Sequence, residues 1–149
     1  MVHKIKQFSV EGHPYKLAVS LNGTTQNQRL KTMPITKAHS FSDLIKISKD
    51  YAYHSRNRVT FEYVLLDGVN DDPQDAEKLN RLLNSIDCKL NVIPYNEIGG
   101  AYRRPSDIRI KTFLHPLKKA SFPVTVRWSK GQDIDAGCGQ LATHLEQIE

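Results

Sequence analysis

Apolar and polar residues follow two rhythms that take turns along this chain. Short apolar runs rich in Val, Ile, Phe and Tyr read as strands. They are YKLAVSL (Tyr15–Leu21), RVTFEYVLL (Arg58–Leu66), KLNVIPY (Lys89–Tyr95) and VTVRW (Val124–Trp128); such side chains suit a pleated, packed surface. Between them apolar positions recur three and four apart, the spacing that lines up one helix face. In SFSDLIKISKDYAYH that face carries Phe41, Leu44, Ile45, Ser48, Tyr51 and Ala52, with Ser40 or Ser42 as cap. In DDPQDAEKLNRLLNSI it carries Ala76, Leu79, Leu82, Leu83 and Ile86. Asp72 there can accept from free backbone N–H groups, Pro73 fits the first helical position, and Asp75 suits the positive end of the helix dipole. In SDIRIKTFLHPLKKA, capped by Ser106, it carries Ile110, Phe113, Leu114 and Leu117. Pro116 should kink this last helix, because proline lacks an N–H and clashes with the carbonyl four residues back.

Strand and helix alternating in this way predict parallel βαβ units, an α/β fold with right-handed crossovers. Chemistry in such sheets gathers at the C-terminal ends of the strands. Those ends read SLNG, LLDGVND, PYNEI and WSKGQDIDAGCG, each supplying Asn, Asp or Gly to one rim from distant parts of the sequence.

Composition then narrows the class. With 149 residues, 39% apolar and 25% charged, the chain can bury one real core and reads as a single globular domain. No apolar run has membrane-spanning length, and the basic N-terminus lacks the apolar core and cleavage site of a signal peptide. Two cysteines, Cys88 and Cys138, make no disulfide framework, which fits a reducing, cytoplasmic setting. The net charge is +5, and its distribution says more. Arg103, Arg104, Arg109, Lys111, Lys118, Lys119, Arg127 and Lys130 face only Asp107 within Ala101–Lys130. That stretch is either a solvated helix face or a phosphate-facing surface.

Cys138 sits between Gly137 and Gly139 in DIDAGCGQL, a small-residue loop unlike the usual surroundings of a structural thiol. It reads either as an inert cysteine in a tight turn or as a presented nucleophile. Asp133 and Asp135 would raise its pKa if close, so activation would have to come from elsewhere.

Five stretches in order, SLN, RLKTMPI, DGVND, IPYN and DIDAGCGQL, resemble the C-terminal half of the radical-SAM enzymes that methylate C2 of an adenine in ribosomal RNA, the RlmN and Cfr methyltransferases. The resemblance covers nearly the whole chain. It implies a partial (β/α) barrel of about four parallel strands, with S-adenosylmethionine and a [4Fe-4S] cluster as the family's cofactors. It implies that Cys138 is the cysteine that accepts a methyl group. It further implies that Ser20, Leu21 and Asn22 contact S-adenosylmethionine at a strand end, and that Asn96 does so after Ile-Pro-Tyr; on residue type alone Asn96 is equally a turn residue. Cys88 matches no catalytic cysteine and reads as core.

The family's C-x3-C-x2-C motif is absent from these residues, and two cysteines cannot supply three thiolate ligands. The resemblance places that motif upstream, so the expectation is the C-terminal half of a barrel, inactive alone. Asn22 stands for the usual His, Gly137 for Ala, and Gln26 and Thr36 for Asp and Asn. A half-barrel would leave the Lys16–Leu21 strand with an open edge, which predicts a homodimer or a complex with a complementary N-terminal half. Three readings follow: half of a split methyltransferase completed in trans, a non-catalytic remnant that binds ribosomal or transfer RNA, and a fragment with no function of its own.

Overall fold

The computed structural model describes residues 2–11, 16–97 and 100–128. Helix α1 (Val2–Val10) leads to strand β1 (Ala18–Ser20), helix α2 (Gln26–Thr32), a short 3-10 turn (Pro34–Ala38) and helix α3 (Phe41–Ser55). Strand β2 (Val59–Leu65), helix α4 (Pro73–Leu83), strand β3 (Cys88–Pro94), helix α5 (Asp107–Leu117) and strand β4 (Val124–Val126) follow. The four strands form one open parallel sheet in sequence order. This is the alternation that the hydrophobic pattern predicts.

Side-chain caps start α3, α4 and α5. Asp72 accepts from the Gln74 N–H at 2.8 Å, Ser40 from Asp43 at 3.0 Å and Ser106 from Arg109 at 3.3 Å. Ser40, not Ser42, is therefore the cap of α3. Pro116 lies in the last turn of α5, which ends one residue later at Leu117, so its disruption coincides with a terminus.

The sheet is two-faced. Along β2, Val59, Phe61, Tyr63 and Leu65 are fully buried, whereas Thr60, Glu62 and Val64 between them are half-buried. The buried set joins Leu79, Leu83, Leu90, Val92, Ile110 and Phe113 in one core beneath the helices. Phe113 of α5 stacks on Tyr63, ring centroids 5.6 Å apart, and Phe8 of α1 stacks on Tyr51 of α3 at 5.9 Å. Cys88 belongs to this core. It is 1% exposed, and burial, followed by the neighbouring Asp87, pushes its thiol up to about 12. The opposite face carries a polar row set by the strand register: Ser20, Glu62, Asn91 and Thr125 lie side by side across all four strands. Thr125 Oγ1 donates to Asn91 Oδ1 at 2.5 Å within that row.

Candidate functional site

The C-terminal ends of the strands form one rim, and its β1–β2 half is tied in a polar knot. β1 ends at Ser20, after which the chain turns through Asn22, a non-glycine residue in the left-handed region at φ 48°. The short amide of Asn tolerates that conformation better than most side chains. Asn22 Oδ1 accepts from the Val64 N–H at 2.8 Å, so the side chain continues the β1–β2 ladder where β1 stops. Its Nδ2 donates to Met33 Sδ at 3.6 Å.

Asn70 locks the same point from the DGVND loop. Its Nδ2 donates to Asn22 O at 3.2 Å and Val64 O at 2.8 Å, and its Oδ1 accepts from the Leu66 N–H at 2.8 Å. The Tyr63 hydroxyl donates to Asn70 O at 2.8 Å. Burial, then Asp75 and Asp71, raise the pKa of that phenol and keep it a donor.

Beneath the turn lies Arg29 of α2, 4% exposed. Its Nη1 donates to Ser20 O at 2.8 Å and also to Leu21 O, and its guanidinium lies over the Phe41 ring, 5.8 Å from the centroid. Gly23 leaves room for it: a Cβ there would come within 3.1 Å of Arg29 Cγ and 3.0 Å of Gln28 Cβ. Asp75, also 4% exposed, accepts from Thr24 Oγ1 at 2.9 Å and Gln28 Nε2 at 2.8 Å. Asp71 accepts from both Arg109 Nε at 2.5 Å and Arg109 Nη2 at 2.7 Å, anchoring the DGVND loop to α5. This pairing raises the pKa of the guanidinium.

These bonds decide how each expected cofactor residue is placed. Leu21 is fully buried, its N–H donates to Glu62 O at 2.7 Å, and its carbonyl is taken by Arg29. Asn22 spends its amide on the sheet and on Met33. Both are engaged in holding the turn. Ser20 keeps an exposed side chain at the end of the polar row, and Asn96 is half-buried two residues past β3. Ser20 and Asn96 are therefore the pair of these four residues with accessible polar ends on the rim. Cys138, with Asp133, Asp135, Gly137 and Gly139, lies outside the described residues. The two departures Gln26 and Thr36 meet each other: Gln26 Nε2 donates to Thr36 O at 3.1 Å while its Oε1 accepts from the Phe41 N–H at 2.7 Å.

An iron–sulfur cluster does not fit the chain's own donors. The sequence holds two cysteines, Cys88 is sealed in the core, and among the described residues no three His, Cys, Asp or Glu side chains come together as a metal site.

The β3–β4 half of the rim is less committed. Tyr95 and Tyr102 meet edge to face at 6.4 Å, and the Arg104 guanidinium lies 5.7 Å from the Trp128 centroid. The basic stretch is partly neutralised, since Arg104 pairs with Asp107 at 3.3 Å and Arg109 with Asp71 and Asp67. A groove of about 500 Å³ between α4 and α5, lined by Asn80, Arg81, Asn84, His115 and Lys119, lies at the far ends of those helices from the rim. Among the described residues no helix is long and apolar enough to cross a membrane.

The sequence assigns no role to Arg29, Gln28 or Asn70, although RLKTMPI and DGVND place Arg29 and Asn70 in ordered motifs, and it marks Asp75 only as a partner of the helix dipole. Arg29, Gln28 and Asn70 hold backbone and Asp75 holds the Thr24 and Gln28 side chains, which residue type alone does not reveal.

No family model matches the chain. Individual proteins do. It is 44% identical over 132 residues to a dual-specificity RNA methyltransferase RlmN of Desulfosudis oleivorans, covering 88% of this chain and 36% of that protein. It is 42% identical over 144 residues to a probable dual-specificity RNA methyltransferase RlmN of Microcystis aeruginosa, covering 96% and 43%. A crystal structure of a radical SAM methyltransferase from Sphaerobacter thermophilus superposes with a TM-score of 0.87 at 40% identity, over 94% of this chain and 41% of that one. The chain thus spans well under half the length of the relatives it matches.

Proposed function

Because the chain belongs to the RlmN-like radical-SAM methyltransferase family, we propose that it is the C-terminal portion of an RNA adenine methyltransferase, one domain that supplies the cofactor rim and the methyl-accepting cysteine. The observation that carries this reading is the rim itself. Ser20 at the end of β1 and Asn96 just past β3 flank a backbone turn that Asn22, Asn70 and Arg29 hold in place. When bound there, S-adenosylmethionine supplies the methyl group. The Ser20 hydroxyl and the Asn96 carboxamide orient its amino-acid end, since an amide can donate to a carboxylate and accept from an amine. Cys138 is the methyl acceptor. Its thiol must lose a proton before its sulfur can bond to carbon, and nearby aspartates would oppose that loss.

The iron–sulfur ligands come from another stretch of polypeptide, either in the same protein or in a complementary chain. A homodimer would not provide them, because neither copy carries the C-x3-C-x2-C spacing and Cys88 is sealed in the core. The exposed Arg103 and Arg127, without carboxylate partners among the described residues, favour a second reading, a chain that binds RNA without modifying it.

Co-expression separates the two. The chain is produced with a polypeptide bearing C-x3-C-x2-C, in cells stripped of their own adenine-C2 methyltransferase, and RNA nucleosides are read by mass spectrometry. The split-enzyme reading expects 2-methyladenosine, lost in Cys138→Ala and reduced about tenfold in Asn96→Ala, the scale of one hydrogen bond to the ligand. Absence of 2-methyladenosine together with salt-dependent RNA binding would leave only the second reading.

A further inference from the structure

The knotted half of the rim presents little free chemistry, whereas the β3–β4 half presents a great deal. Two loops converge there, one leaving β3 at Tyr95 and one leaving β4 at Arg127, with 100–106 between them. They carry aromatic rings and arginines in close alternation. Tyr102 packs edge-on against Tyr95, and its hydroxyl donates to Lys31 O at 2.8 Å, which fixes the ring. Arg103 bonds back to the carbonyls of Gly100 and Tyr102 at 2.7 and 3.0 Å, and the Arg103 carbonyl accepts from the Asp67 N–H at 3.0 Å. Arg104 lies over Trp128, a large apolar ring that is nevertheless 52% exposed. Among the described residues neither Arg103 nor Arg127 pairs with a carboxylate, although both are exposed.

We propose that this patch is a single-stranded RNA platform, in which Trp128 and Tyr102 stack on unpaired bases while Arg103 and Arg127 hold the flanking phosphates. The inference deepens the RNA reading above and rests on it. Three features favour an unpaired strand. Every base has a π-face, so half-exposed aromatic rings bind single strands without needing a groove. Cations without carboxylate partners release counterions from a phosphate backbone, whereas paired ones do not. Asn96 follows Tyr95 directly, so a base stacked here lies beside the proposed cofactor site, where a target adenine has to arrive.

Trp128 is the chain's single tryptophan, so its emission reports on this patch alone. The 149-residue chain is titrated with oligoadenylate and with a blunt RNA duplex of equal length, at two salt concentrations. The platform expects saturable quenching by oligoadenylate and weaker quenching by the duplex. By anisotropy of labelled oligoadenylate, Trp128→Ala weakens binding roughly tenfold, while Trp128→Phe, which keeps a ring, weakens it about threefold or less. Tyr102→Phe keeps the affinity. Arg103→Ala lowers the slope of log affinity against log salt by about 0.7. Oligoadenylate binding with unchanged Trp128 emission and unchanged affinity in Trp128→Ala would overturn the platform while leaving RNA binding intact. No binding of either RNA at low salt would overturn both.

Discussion

The two halves of the rim are built from similar residues and do opposite things. On the β1–β2 side, Asn22, Asn70, Arg29 and Asp75 are turned inward: the first three bond backbone groups, and Asp75 accepts from the Thr24 hydroxyl and the Gln28 amide. On the β3–β4 side, Asn96, Arg103 and Trp128 lie on loops with their side chains half or fully accessible. Buried polar groups cost several kcal/mol unless paired, so the first half must be bonded to exist at all. Surface groups carry no such demand and remain free for a ligand. One half fixes a shape and the other uses it.

That contrast breaks if the inward groups prove dispensable. Asn70→Ala strands the Leu66 N–H and the Val64 carbonyl inside the fold, and urea denaturation should show a loss of about 3 kcal/mol. A change under about 1 kcal/mol would mean that the knot is ornamental. Asp75→Ala comes next, with a loss of about 2 kcal/mol, because Thr24 and Gln28 lose a buried acceptor.

An alkaline titration compares the core with both halves. The Cys88 thiol is raised from its ordinary value near 9 to about 12 by burial. The unfolded chain therefore releases that proton first. Stability that is full below pH 9 declines as pH rises toward 12, with a slope approaching about 1.4 kcal/mol per pH unit. Cys88→Ala should remove the decline between pH 9 and 10 and leave above pH 10 the share that the buried Tyr63 phenol contributes by the same linkage. The smallest effect sharpens the comparison: Asn96→Ala should change stability by less than about 0.5 kcal/mol, even as it impairs cofactor-dependent chemistry.

Periodicity reveals what repeats. β2, β3, α3, α4 and α5 are legible because their apolar residues keep a period of two or 3.6, and Cys88 is correctly read as core. The stretch from Gln26 to Ala38 has no such period, and its helix and 3-10 turn go unseen in the sequence. They form because Thr25 caps the Gln28 N–H at 3.2 Å and because Arg29 reaches back to β1. Asn22 shows a second limit. Its residue type at a strand end does not reveal that its amide completes a ladder with Val64, 42 residues away. Charge has the same blind spot, since Arg109 counts as free in sequence until Asp71 is folded against it. The part of the site that rests on Cys138 lies beyond the described residues.

Among the described residues the outermost strands, β1 and β4, are three residues long beside inner neighbours of seven. So brief a margin gives a stray chain few main-chain groups to zip onto, which protects against indiscriminate aggregation. Any polypeptide that extends this sheet must draw its grip from side chains, including the Ser20–Thr125 stripe, and so must be shaped for this molecule in particular.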